Sequence, residues 1–173
     1  MSKSFRIPII GITGGIGSGK SSVTREAAKL RDWFVIDADR IGHEVLKLDE
    51  VKSALVDDFG QDILDPNGAI DRSVLAEKVF GRTQTQQRKQ LEAIVHPEIR
   101  RQCLESIEQA VRSGQFSAVI LDAAVLLEAG WNEICDSIVF IETDFADRLA
   151  RVQTSRGWTE SELKQRELSQ LAL

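Results

Sequence analysis

Tyrosine is absent from this 173-residue sequence, methionine occurs once, and cysteine and histidine occur twice each. Cys103 and Cys135 form no CxxC, and two histidines add too little to complete a structural zinc site. Disulfides and zinc are therefore not expected, and a reducing, cytoplasmic location is. No apolar run approaches the ~20 residues of a membrane span, so no membrane partner is expected. The opening MSKSFRIPII is too short for a signal peptide. An excess of positive charge is missing as well. The 22 Lys and Arg against 27 Asp and Glu leave a net charge of −5, which argues against nucleic acid as the main partner. An anionic small molecule stays open, since it needs only a local cluster of cations. Internal repeats and low-complexity segments are also lacking. What remains is an ordinary globular composition, 42% hydrophobic and 28% charged, in a length that suits one domain with a small insertion.

Glycine breaks this plainness. Five of the 12 glycines crowd into GITGGIGSGKSSV, Gly11 to Val23. Glycine loses more backbone freedom on folding than any other residue, so the cluster marks a place that requires a bare backbone. RIPIIGIT reads as a buried parallel strand leading into it, and SSVTREAAKL as a helix leading out. WFVID, FSAVILD and DSIVFIE read as further buried strands, ending at Asp37, Asp122 and Glu142. The block between the second and third strands is helical. There Asp71 has the character of an N-cap, and Pro97 is expected to divide QLEAIVHPEIRRQCLESIEQAV into two helices. FADRLARVQTSRGW reads as a helix running into an arginine-rich loop, and Thr159 with Glu162 forms a capping box for a last helix. Continuous rather than alternating apolar strands predict a three-layer α/β/α fold with a parallel sheet. The expected boundaries are 5–40 with 115–144 for the core, 41–114 for a helical insertion and 145–170 for a small lid.

Gly14 to Ser21 fits G-x-x-x-x-G-K-[ST] between a strand and a helix, which is the context this phosphate-binding loop requires. Its backbone N–H groups and the helix N-terminus would cradle phosphates, Lys20 would supply charge to the β- and γ-phosphates, and Ser21 would reach Mg²⁺. The loop thus predicts a nucleoside triphosphate ligand and leaves the acceptor open. Guanine recognition by NKxD is missing, since Asn67 and Asn132 lie in other settings, and DDFG reads as a helix end. DPNGAID lacks the glycine of a calcium loop at Ile70 and reads as a turn. A small-molecule kinase fits better. Open α/β sheets place acceptor sites at the strand carboxyl ends, where the carboxylates are Asp37, Asp39, Asp122 and Glu128. Asp39 could take a proton from an acceptor hydroxyl or cap a helix. Asp122 could hold a Mg²⁺-bound water or cap a strand end.

TGGIGSGKSSV, DADRIGHEV, GAIDRSVLAEKVF, IVHPEIRR, LDAAVLLEAG and RGWTESELKQRELSQ occur in this order, and together they closely resemble the dephospho-CoA kinase family over about Ile9 to Gln170. The resemblance implies a P-loop kinase with ATP and Mg²⁺ that phosphorylates the ribose 3′-hydroxyl of dephospho-CoA. It implies ATP contacts from Gly15, Ile16, Gly17, Ser18, Gly19, Lys20, Ser21 and Ser22, with Arg151 and Arg156 added from the lid. Lys20, Asp39 and Arg156 would be catalytic, with Asp39 as the base. Asp39, Arg72, His96, Leu126 and Glu128 would meet the acceptor, and Ser21 and Asp122 the metal. Ser22 replaces the commoner Thr, and Ala124 stands where many members have Pro.

Two other readings stay open: a P-loop kinase for a nucleotide or sugar acid, and a non-catalytic nucleotide-dependent regulator. Oligomeric state is not set by the sequence. His43 and the tryptophans read as structural, with Trp158 placed to report lid closure. The last helix stops at QLAL in mid-pattern, and the family sheet has a fifth strand after the lid. The expectation is therefore a longer gene product, with roughly 25–40 further residues forming one strand and a helix, an ordinary βα unit.

Overall fold

The computed structural model describes residues 7–79, 85–123, 126–127 and 129–167. The chain divides into two compact units, Met1–Asp39 with Glu105–Leu173, and Arg40–Leu104.

The first unit is built on a four-stranded sheet. Its strands are β1 (Ile9–Thr13), β2 (Trp33–Asp37), β3 (Ala118–Asp122) and β4 (Ser137–Phe140). The order is β2-β3-β1-β4 and every pairing is parallel. β1 and β3 lie in the middle and carry the core: Ile9, Val119 and Leu121 have no exposed surface. Gly11 sits in β1 because of what lies over it. A Cβ there would come 2.8 Å from Leu126 Cδ1 and 2.9 Å from Cys135 Sγ.

β2 forms one edge and is only partly covered, with Phe34 packing on Phe116 at 5.0 Å between ring centroids. β4 forms the other edge and departs from the buried strand expected of DSIVFIE. Ile138, Val139 and Phe140 are 41%, 43% and 47% exposed. These residues alternate between the two faces of the sheet, so neither face is covered there by the described residues. Helix α1 (Lys20–Leu30) follows β1, and α2 (Ala38–Val45) follows β2. After β4 come α6 (Phe145–Arg156) and α7 (Glu160–Glu167). α7 opens with the expected capping box: the Thr159 N–H donates to Glu162 Oε2 at 2.7 Å, and the Glu162 N–H to Thr159 Oγ1 at 3.3 Å.

The second unit is helical. It contains α3 (Asp49–Phe59) and α4 (Arg72–Val79). The expected Asp71 cap is present, its Oδ1 accepting from the N–H groups of Ser73 and Val74. Pro97 does not divide the following stretch. A single helix, α5 (Thr85–Ser113), runs through it and on into the first unit. An internal proline forfeits one backbone hydrogen bond and costs about 3 kcal/mol. The buried stripe Val95, Ile99, Cys103, Ile107 and Ala110 offsets that cost, because it keeps helical spacing across the proline. Among the described residues no helix is long and apolar enough to cross a membrane.

Candidate active site

The glycine-rich turn after β1 ends at Gly19, which takes the N-cap position of α1 in a left-handed conformation. No side chain caps this helix and no acid lies in its first turn, so its positive end is left to an outside anion. Every carbonyl from Gly14 to Ser18 is engaged by the protein itself. Lys20 Nζ donates to Gly14 O at 2.7 Å and to Gly15 O at 3.2 Å. Arg148 Nη1 donates to Ile16 O at 3.4 Å. Arg151 Nη1 donates to Gly17 O at 3.1 Å and Ser18 O at 3.0 Å, and Thr143 Oγ1 also reaches Ser18 O at 2.9 Å. Holding the carbonyls back removes their negative ends from the ligand side, as an anion-binding loop requires.

This alters the reason for the glycines. At Gly14, with φ of 151°, a Cβ would meet Ile141 O at 2.6 Å. At Gly17, with φ of 77°, it would meet Arg148 O at 2.9 Å. The bare backbone serves the packing of the loop on the protein as much as an approach to phosphate.

The carboxyl ends of β2 and β3 lie beside this loop. Ser21, Lys20, Asp37 and Asp39 are all near enough to act on the Asp122 carboxyl. Burial pushes the Asp122 carboxyl up from its ordinary range, and Asp39 and Asp37 push the same way against Ser21 and Lys20. Asp39 is exposed and lies inside the first turn of α2 rather than ahead of the helix. A hydroxyl next to a carboxylate, in a field of further carboxylates, suits a hard divalent cation that also keeps waters and phosphate oxygens. Ser21 and Asp122 therefore fit Mg²⁺, although no cluster of three or more His, Cys, Asp or Glu poised for a metal occurs among the described residues.

The other expected site residues are placed as follows. Ser22 is exposed on the first turn of α1. Arg72 opens α4 and His96 lies in α5, both in the helical unit. Burial pushes the His96 imidazole down from its ordinary value, partly countered by Glu92. Arg156 is not on the loop: its guanidinium lies over the Trp158 ring, 4.7 Å from the centroid. Leu126 has its side chain wholly buried over Gly11. Glu128 and Ala124 lie outside the described residues, as does the QLAL end. Arg148 and Thr143, which hold the loop from behind, were not singled out by the sequence. The available signal was that Arg148, Arg151 and Val152 share one face of a helix just after a strand. An open hollow of about 430 Å³ is lined by Glu142, Thr143, Asp144, Asp147 and Arg151. Its carboxylates make it a poor seat for a polyanion.

A parallel sheet whose first strand ends in this loop, with an acid ending the neighbouring β3, defines a P-loop NTPase-like phosphotransferase fold. The dephospho-CoA kinase (CoaE) family model matches residues 8–173. The dephospho-CoA kinases of Geobacter sulfurreducens and Dehalococcoides mccartyi are 39% and 35% identical, covering 95% and 94% of this chain and 82% and 80% of their own lengths. The crystal structure of TT1252 from Thermus thermophilus superposes with a TM-score of 0.80 at 30% identity, over 95% of this chain and 81% of that one. The dephospho-CoA kinase from Campylobacter jejuni shares the fold at 22% identity, with a TM-score of 0.58 over 93% and 78% of the chains. The chain belongs to the dephospho-CoA kinase family, and it is a kinase.

Proposed function

We propose that the chain transfers the γ-phosphoryl group of ATP to the ribose 3′-hydroxyl of dephospho-CoA, in the cytoplasm, giving coenzyme A and ADP. The observation that carries this reading is the joining of two halves at the carboxyl end of the sheet. A loop with its carbonyls held back faces the same strand ends as Asp39 and the Ser21–Asp122 pair. Gly15 to Ser22 bind the triphosphate through the loop backbone and the start of α1. Lys20 lies on the loop and supplies positive charge to the β- and γ-phosphates as the bond to ADP breaks and its bridging oxygen takes up negative charge. Asp39 accepts the acceptor's proton as its oxygen attacks phosphorus, which general-base catalysis makes worth about 10²–10⁴-fold. Ser21 and Asp122 would hold Mg²⁺, whose charge neutralises the phosphate oxygens during transfer.

Arg72, His96 and Glu128 are assigned to the dephospho-CoA side. Arg151 is assigned to the triphosphate, and Arg156 joins it after leaving Trp158. The test is mass spectrometry of the product from ATP, Mg²⁺ and dephospho-CoA. Gain of one phosphoryl group at the 3′-position supports the reading. ADP release without a phosphorylated acceptor, or transfer only to a nucleotide or sugar acid, overturns it.

A further inference from the structure

We propose that Arg148 is a positioning residue for ATP: clamped by Glu167, it keeps the phosphate loop in its binding form without touching the ligand. Arg148 extends from α6 to the back of the loop and is only 16% exposed in its side chain. Its Nε donates to Thr143 O at 3.0 Å, and Nη1 to Ile16 O at 3.4 Å. Nη1 also pairs with the carboxylate of Glu167, which is 25% exposed and ends α7. Phe145 flanks the guanidinium 5.5 Å from its ring centroid. A guanidinium this far from water is tolerated only when its donors are matched, and here the matches include a carbonyl of the phosphate loop.

The loop is shaped to receive it. A Cβ at Gly15 would lie 3.0 Å from Arg148 Nη1 and 3.3 Å from Cζ, and one at Gly17 would lie 2.9 Å from the Arg148 carbonyl. Thr143 closes the arrangement, since its carbonyl accepts from Arg148 while its hydroxyl donates to Ser18 O. Without the guanidinium, Ile16 O loses its donor and nothing holds it away from the ligand side, where it would repel phosphate. Arg151 is exposed and Arg148 is not. Of the three arginines of α6, Arg148 is therefore the one whose guanidinium is enclosed, and it acts through the loop. Glu167 carries the clamp to the end of α7, so the segment after the lid turn sets the affinity of the loop.

The inference rests on the reading of the loop as the ATP site. If the wild type binds no ATP, that reading fails. If the wild type binds ATP and the variants below bind it equally well, the present inference fails alone. Arg148→Met, Arg148→Lys, Glu167→Gln and the double variant Arg148→Met with Glu167→Gln are compared by KM for each substrate, kcat and thermal melting. Arg148→Met is expected to raise KM for ATP about tenfold, on the scale of a charge-assisted hydrogen bond. KM for dephospho-CoA should stay within about twofold. Arg148→Lys keeps the charge but not the fork geometry, and is expected to recover less than half of the loss. Glu167→Gln should raise KM for ATP about threefold. The double variant should be no worse than Arg148→Met alone, because Glu167 acts through Arg148. Additive losses, or equal rises in KM for both substrates, overturn the proposal. So does a lowered melting temperature with ATP binding unchanged. If Arg148→Met does not fold, the Lys and Gln variants decide by the same criteria.

Discussion

The two ends of α6 are held by different forces. Two turns in, Val152 is 1% exposed, and its Cγ1 lies where a Gly17 Cβ would come within 3.1 Å. Near the start of the helix, Arg148 donates to the Ile16 carbonyl of the loop. At its end, exposed Arg156 rests on Trp158, and Arg166 of α7 lies over the same ring at 3.7 Å. Cation–π contacts at exposed sites are worth about 0.5–1 kcal/mol, little enough for a bound polyanion to outcompete. One segment thus contains a buried, hydrogen-bonded part and an exposed tip held only by ring contacts.

The hydrogen-bonded part should respond most strongly. Lys20→Ala removes the loop charge together with the donor to Gly14 O and Gly15 O, and is expected to lower kcat/KM more than about 100-fold. Circular dichroism should stay unchanged. A folded variant with a tenth of the wild-type rate would place the essential charge elsewhere. Asp39→Asn comes next. It should leave ATP binding and stability intact and lower kcat by about 10²–10⁴-fold. A near-normal rate would reduce Asp39 to a helix-terminus residue.

At the exposed tip, Arg156→Ala is expected to slow transfer by about tenfold, a fraction of what a fully recruited arginine supplies. KM for dephospho-CoA should be unchanged, and equal loss of both would assign Arg156 to the acceptor. The smallest effect belongs to Ser18→Ala. The Ser18 hydroxyl is buried and makes no hydrogen bond among the described residues, so its removal should shift KM for ATP less than about twofold and leave stability level or slightly raised. A large loss would show that the side chain, not the backbone, meets phosphate.

The loop was legible because its residues are contiguous and its chemistry is local: Gly14 to Ser21 need only a strand before and a helix after. The same holds for the Asp71 cap and the Thr159–Glu162 box, each contained within a few residues. What could not be read depends on distance. Arg148 meets Ile16 across 132 positions of sequence. Leu126 is placed by its packing on Gly11, a neighbour only in space. Helix α5 continues through Pro97 because a buried stripe overrides the local preference, and propensity alone carries no information about that stripe. Strand β4 reads as buried because an apolar run looks the same at the middle and the edge of a parallel sheet.

That edge has a consequence for how the molecule behaves in concentrated solution. From Ser137 to Ile141 the chain carries no charge and no proline and is rich in β-formers, the composition that favours intermolecular strand pairing. The described residues pair β4 on one side only, and none of the usual guards against stacking, such as an edge lysine, a proline or a bulge, interrupts it. Among the described residues, an edge of this composition is open to strand pairing between copies.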